Sequence, residues 1–276
     1  MDSHPGTQEL LEIARSIALE AGALAKRRRS EGVEVAASKS SPEDVVTHAD
    51  REAEALIRQR LAEVRPRDGF FGEESGAERG TSGLTWVVDP IDGTVNFLYG
   101  IPQWAISIAV VEGEPEPTTW RALAGCVFAP ATDEVFTATA GGGAFRNGEA
   151  IAASPASDLS QALVATGFSY SADRRGQQAA VVSGLITRVR DIRRIGSAAL
   201  DLCYVGAGRV DAYYERGLNP WDMAAGALVA AEAGARVTGW NGAPAGREFL
   251  LAGAPGIVEG LEKVLREQFP LRGELA

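Results

Sequence analysis

Cysteine and histidine are scarce in this 276-residue chain, with two of each. Cys126 and Cys203 lie far apart, in apolar stretches, without metal-ligand spacing, which reads as buried inert thiols. Long apolar runs are missing as well. None approaches the ~20 residues a membrane span needs, and residues 1–8 lack the charged-then-apolar layout of a signal peptide. No membrane partner and a cytoplasmic location are therefore expected. Positive charge is also short: 27 Lys and Arg against 37 Asp and Glu leave a formal net charge of −10. Such a chain repels nucleic acid and anionic membrane, so no nucleic-acid partner is expected. It also repels anionic substrates, unless cations bound in a site reverse the local sign. Internal repeats are absent, and the 32 glycines are scattered, as many tight strand–helix turns require.

The length allows one compact body or two closely fused halves. Apolar spacing at Leu10, Ala14, Ile17, Ala21, Leu24 and Ala25 predicts a helix over 8–29. Its end, Lys26 to Arg29, is cationic, which a helix C-terminus favours. A second helix is predicted over 49–64, after a Ser-rich loop or short hairpin at 32–43. Strands are predicted at 86–88, 106–111, 122–128 and 134–138, and Asn147-Gly148 signals a hairpin. A small polar joint at 152–159 divides a 1–152 α+β half from a 153–276 α/β half, together one compact unit. In the second half, strands are predicted at 162–165, 191–195, 211–214, 236–238 and 249–251. Helices there are predicted over 177–189, 198–205, 220–233 and 257–268.

Four segments carry candidate chemistry. The first is Asp89-Pro90-Ile91-Asp92-Gly93-Thr94-Val95-Asn96-Phe97, directly after the apolar Trp86-Val87-Val88. A carboxylate at a strand end, a proline that stops the ladder and an Asp-Gly-Thr turn into a helix put two carboxylates on one tight turn. All-oxygen donors without His or Cys select Mg²⁺ or Mn²⁺ over zinc, and amides of Gly93 and Thr94 at a helix start suit an anion. The second is Gly72-Glu73-Glu74-Ser75, where adjacent glutamates read as solvated surface or as ligands. The third, Asn219-Pro220-Trp221-Asp222, opens an Ala-rich helix, so Asp222 reads as a capping residue, a ligand or both. The fourth, Asp44 to Asp50, carries a Thr47/Asp50 capping-box pattern, with His48 an exposed bystander.

Glu73-Glu74-Ser75, Trp86 to Phe97 and Trp221-Asp222 before an Ala/Gly helix together resemble the inositol monophosphatase family, in its bacterial form. Gly196-Ser197-Ala198-Ala199 and Asp211 to Glu215 fit the same order, from the Lys39 loop to Gly239. The resemblance implies an α/β fold, a layered αβαβα sandwich of the inositol monophosphatase and fructose bisphosphatase type, in a homodimer with its site where the halves meet. It implies two or three Mg²⁺ ions, sensitivity to lithium and a small phosphorylated polyol as substrate. Glu73, Asp89 and the Ile91 carbonyl would hold the first Mg²⁺, and Asp89, Asp92 and Asp222 the second. Two metals can clamp the attacking and leaving oxygens of an in-line displacement. Glu73 and Thr94 would orient the attacking water, with Asp50 accepting from Thr94. The Gly93 and Thr94 amides would receive the phosphate, while Asp92, the Ala198 amide and Glu215 would touch the polyol.

Lys39 lies where the family has a mobile active-site loop, and a site role and plain solvation both stand. The reaction implied is hydrolysis of inositol 1-phosphate to inositol and phosphate. The same scaffold serves histidinol phosphate, fructose bisphosphate and adenosine bisphosphate, so a histidinol-phosphatase is the alternative. No basic pocket beside Glu215 is evident for a second phosphate, although Arg216 is adjacent. Bacterial members are similar to proteins that also bind transcription machinery. The Arg188, Arg190, Arg193 and Arg194 run reads either as such a contact or as a solvated helix end.

Overall fold

A computed structural model of the chain describes residues 6–33, 35–38 and 45–269. Lys39 and Asp44 lie outside the described residues, as does half of the loop or short hairpin expected at 32–43; Val35–Ser38 and Val45–Thr47 pair antiparallel.

Helix α1 (Thr7–Glu31) presents Leu10, Ala14, Ile17, Ala18, Ala21 and Ala25 inward, the stripe expected of a period of 3.6. Helix α2 (His48–Val64) lies beside it, burying Ala53, Ile57 and Leu61. Both cover one face of an eight-stranded sheet. Its spatial order is Glu149–Ala150, Gly143–Arg146, Glu134–Thr139, Arg121–Ala129, Ala105–Glu112, Leu84–Asp92, Gly69–Gly72 and Gly76–Glu78. Only the pairing of Gly69–Gly72 with Leu84–Asp92 is parallel. The two faces bury different cores. Trp86 and Val88 join the α1 and α2 side, and Val87 joins the side of α5 (Ala198–Gly206) and α6 (Pro220–Glu232). A strand buried on both faces reads as a continuous apolar run, as Trp86-Val87-Val88 does.

Helices α5 and α6 form the middle layer, since their other face packs on a five-stranded sheet through Leu202, Val205, Met223 and Ala230. That sheet runs Asp191–Arg193, Leu163–Thr166, Ala212–Glu215, Leu250–Gly253, Arg236–Thr238. Its first three strands are parallel and its last two join antiparallel. Helices α4 (Ala172–Leu185) and α7 (Val258–Gln268) close the outer face, with Val181, Leu185, Leu261 and Leu265 in its core. The result is the layered αβαβα sandwich. Among the described residues, no helix is long and apolar enough to cross a membrane.

Two expectations are corrected. The strand expected to end before Pro90 runs on to Asp92, because a bulge between Asp89 and Asp92 absorbs the residue that cannot donate to the ladder. Helix α4, expected over 177–189, starts at Ala172 and ends at Leu185; Arg188 and Arg190 fall beyond it, in the turn leading to Asp191–Arg193.

Candidate active site

The bulge is where the site begins. By alternation Asp89 points to the Val87 side, towards α5 and α6, and it is only 2% exposed. Its Oδ1 accepts the Ile91 N–H at 3.1 Å, so the side chain itself holds the irregular turn. Gly93 follows at φ 94°, and a Cβ there would meet the Gln103 carbonyl at 2.9 Å and the Gly196 carbonyl at 3.1 Å. Only glycine supplies both that dihedral and that closeness. Helix α3 (Thr94–Tyr99) then begins. Asn96 ties it across the chain, donating to the Gln103 carbonyl at 2.6 Å and the Ile195 carbonyl at 2.9 Å.

That tie brings the start of α5 against Asp92. Ser197 caps α5 by accepting the Leu200 N–H at 3.3 Å, and its hydroxyl donates to Asp92 Oδ2 at 2.6 Å. The Ala199 N–H donates to the same oxygen at 2.7 Å. Asp222 enters from the first turn of α6, where its Oδ2 accepts the Asn219 N–H at 2.6 Å. Glu73 stands on the turn after Gly69–Gly72, its N–H bonded to the Val88 carbonyl at 3.2 Å. Glu73, Asp89, Asp92 and Asp222, from four places in the chain, thus share one cavity of about 210 Å³. Ile91, Gly93, Thr94, Ala198 and Glu215 lie on its wall.

Asp50 sits behind that wall, 1% exposed, in the first turn of α2. Its Oδ2 accepts the Thr47 N–H at 2.8 Å and the Thr47 hydroxyl. Its Oδ1 lies 3.1 Å from the Thr94 hydroxyl, which is also 3.0 Å from the Ile91 carbonyl. Asp50 thus caps α2 through one oxygen and faces the Thr94 hydroxyl through the other. A hydroxyl has one proton to give. With it directed to Asp50 or Ile91, the Thr94 oxygen can only accept from a further donor, such as a water in the cavity.

The electrostatics are severe. Burial, then the charges of Glu73, Asp92 and Asp222, push the Asp89 carboxyl well above the usual range. Burial and the charges of Glu73 and Asp92 raise Asp222 likewise. Burial raises Asp92 to about 6, against the bonds from Ser197 and Ala199 that favour its charged form. Burial raises Asp50 to about 6 and Glu215 to about 7. Crowded buried carboxylates cannot all ionise unless cations accompany them. The donor set is hard oxygen throughout, which fits divalent ions of the Mg²⁺ kind. Among the described residues no three His, Cys, Asp or Glu side chains stand, as placed, where together they could hold a metal ion. The carboxylates line a common wall, and an ion would have to draw them inward.

Sequence reasoning missed three residues here. Asp201, on α5, lines the cavity, yet its Oδ1 is buried without a hydrogen-bond partner among the described residues. Burial and the Glu215 charge push its carboxyl well up, opposed by Arg194. Arg194, read from the sequence only as part of an arginine run, brings a cation to the cavity wall, 6.0 Å from the Phe168 ring centroid. Arg216, adjacent to Glu215 in sequence, instead bonds to the Glu248 carbonyl at 3.2 Å and lies over the Phe269 ring, 5.2 Å from its centroid. Gly167 is the third: a Cβ there would collide with the Glu215 carboxylate, which also accepts from the Tyr213 hydroxyl. The rest of the arginine run is engaged locally. Arg188 pairs with Glu267 at 2.6 Å, Arg193 with Asp191 at 2.6 Å, and Arg190 donates to the Gln161 carbonyl at 2.7 Å. His48 is exposed, as expected.

Comparison with known proteins assigns this layered sandwich to a class of phosphoric monoester hydrolases. The profile of the inositol monophosphatase family matches residues 7–269, and the chain belongs to that family. The chain is 44% identical to an inositol-1-monophosphatase of Mycobacterium leprae over 94% of each chain. It is 40% identical to the Nus factor SuhB of Escherichia coli over 97% of each. The solved structure of Mycobacterium tuberculosis SuhB superposes with a TM-score of 0.82 at 42% identity, covering 98% of this chain and all of that one. The family is generally metal-dependent and acts on small phosphorylated substrates.

A pH test follows from Glu215. Its folded value of about 7 lies above the ordinary 4.5, so its contribution to folding stability is full below about pH 4.5 and is lost as pH rises through 7. In chelator, Glu215→Gln removes that loss. Its urea midpoint, relative to the parent protein, should climb between pH 5 and 8 and then level off; a pH-independent difference would contradict the burial of this carboxyl.

Proposed function

We propose that the chain hydrolyses inositol 1-phosphate to inositol and phosphate. The observation that carries this is the convergence of Glu73, Asp89, Asp92 and Asp222 on one cavity that Glu215 also lines. Mg²⁺ held by Glu73, Asp89, the Ile91 carbonyl, Asp92 and Asp222 would supply Lewis-acid stabilisation of charge on the phosphoryl and leaving oxygens. The remaining work falls to the chain's own groups. Thr94, its proton directed to Asp50 or Ile91, accepts from the attacking water and aims a lone pair of that water at phosphorus. Glu73 is the second acceptor for the same water. The Gly93 and Thr94 amides receive phosphate oxygens.

At the other end, Asp92, the Ala198 amide and Glu215 take the hydroxyls of the leaving polyol. A carboxylate accepts two or more O–H bonds, and the Tyr213 hydroxyl fixes the direction Glu215 faces. Gly167 leaves the space that Glu215 fills. Relatives bearing the name Nus factor raise a protein-binding role, but the local pairing of Arg188, Arg190 and Arg193 favours a solvated surface there.

A substrate panel in Mg²⁺ tests the reading. Inositol 1-phosphate should show higher kcat/KM than histidinol phosphate, and excess chelator should abolish both activities. A panel won by histidinol phosphate, with Glu215→Gln erasing that advantage, would replace the polyol by an amino alcohol. The water-orienting unit is tested separately. Thr94→Ala should lower kcat by roughly 10²-fold or more with little change in KM. Asp50→Asn should act in the same direction, and the double variant should lose little beyond the worse single one. Multiplying losses would confine Asp50 to its cap on α2.

A further inference from the structure

Helix α2 carries more of the site than Asp50. Residues 50, 54 and 58 follow one another at i, i+4 spacing and so share one stripe of the helix. Each reaches a different part of the site's scaffold. Asp50 holds the Thr94 hydroxyl. One turn on, Glu54 is only 3% exposed, and its Oε2 accepts the Glu74 N–H at 2.8 Å. A further turn on, the Arg58 Nη1 donates to the Ser75 hydroxyl at 3.3 Å, the guanidinium pairs with Glu78, and it lies 5.5 Å from the Phe70 ring centroid. The Glu73-Glu74-Ser75 turn is therefore gripped from α2 at two successive residues.

Gly72 shows how closely this is built. A Cβ at that position would collide with the Glu54 carboxylate, so the strand ends in a residue without a side chain where Glu54 enters. Burying a carboxylate is costly, and an apolar side chain of the same size would fill the space without that penalty. What the apolar residue could not do is accept the Glu74 N–H. Together with the Val88 carbonyl bonded to the Glu73 N–H, that bond fixes the backbone on both sides of the Glu73 Cα.

We infer that Glu54 is a positioning residue for Glu73. One rigid helical stripe, Asp50 to Glu54, then sets the separation between the Thr94 hydroxyl and the Glu73 carboxylate, the two groups that orient the attacking water. The inference rests on the reading of Glu73 as a cation ligand. Glu54 itself does not line the cavity.

Calorimetric titration of the full chain with Mg²⁺, beside the Mg²⁺ dependence of kcat, tests it. Glu54→Ala should weaken Mg²⁺ binding about tenfold, as loss of an outer-sphere partner does, while saturating Mg²⁺ restores most of kcat. Glu54→Gln keeps an acceptor oxygen and should fall between Glu54→Ala and the parent; it decides the matter if Glu54→Ala does not fold. Mg²⁺ affinity equal to the parent's in Glu54→Gln and Glu54→Ala, however far the melting temperature falls, would overturn the positioning role and leave a purely structural one. Glu73→Gln is the control: if it weakens Mg²⁺ binding while the Glu54 variants do not, only the positioning role fails. Affinity untouched by Glu73→Gln would overturn the ligand reading and this inference with it.

Discussion

Mutual repulsion among Glu73, Asp89, Asp92 and Asp222 in one partly buried cavity is the constraint on which the rest of the structure depends. Left to themselves, like charges removed from water disfavour one another strongly. The fold holds three of them in place with bonds that each use only part of a carboxylate. Asp89 is fixed by the Ile91 amide, Asp92 by Ser197 and the Ala199 amide, and Asp222 by the Asn219 amide. Each bond engages one oxygen in a turn or a helix cap. The same side chains that terminate or start local structure thus become a wall of hard oxygen donors.

This double use explains why helix-start patterns coincide with the site. Thr47 with Asp50, Ser197 with Asp92, and Asn219 with Asp222 are all caps or first-turn contacts. A helix start is a place where the backbone leaves N–H groups without partners, so a carboxylate there is oriented at little extra cost. The five-layer architecture then matters because α5 and α6 lie between the sheets. Their starts meet the bulged end of Leu84–Asp92, and no other layer could bring residues 197–222 against residue 89.

What was legible in the sequence follows the range over which each signal acts. Asp89 and Asp92 were legible because strand, bulge and glycine turn lie within nine residues. Glu73 and Asp222 read equally well as surface and cap, and only the order of motifs joined them to the site. The strand's passage through Pro90 was misread because a bulge depends on the neighbouring strand, where Asp92 pairs with Ala105. Glu54, Asp201 and Arg194 were illegible as site residues for a stronger reason. Within their own helix or strand end each looks like an ordinary polar residue, and its role exists only through contacts with other elements of the fold, as between Glu54 and Glu74. Arg216, adjacent to Glu215 in sequence and not expected to build a basic pocket there, turns to Phe269, because alternation sends neighbours to opposite sides.

The central claim, that buried carboxylate repulsion is relieved by a divalent cation, is tested most directly by the melting temperature of Asp89→Asn with and without Mg²⁺. In chelator the variant should be at least as stable as the parent, because one of the crowded charges is gone. On adding Mg²⁺ the parent should rise in melting temperature and the variant should not. A variant less stable than the parent in chelator, yet still raised by Mg²⁺, would contradict the claim.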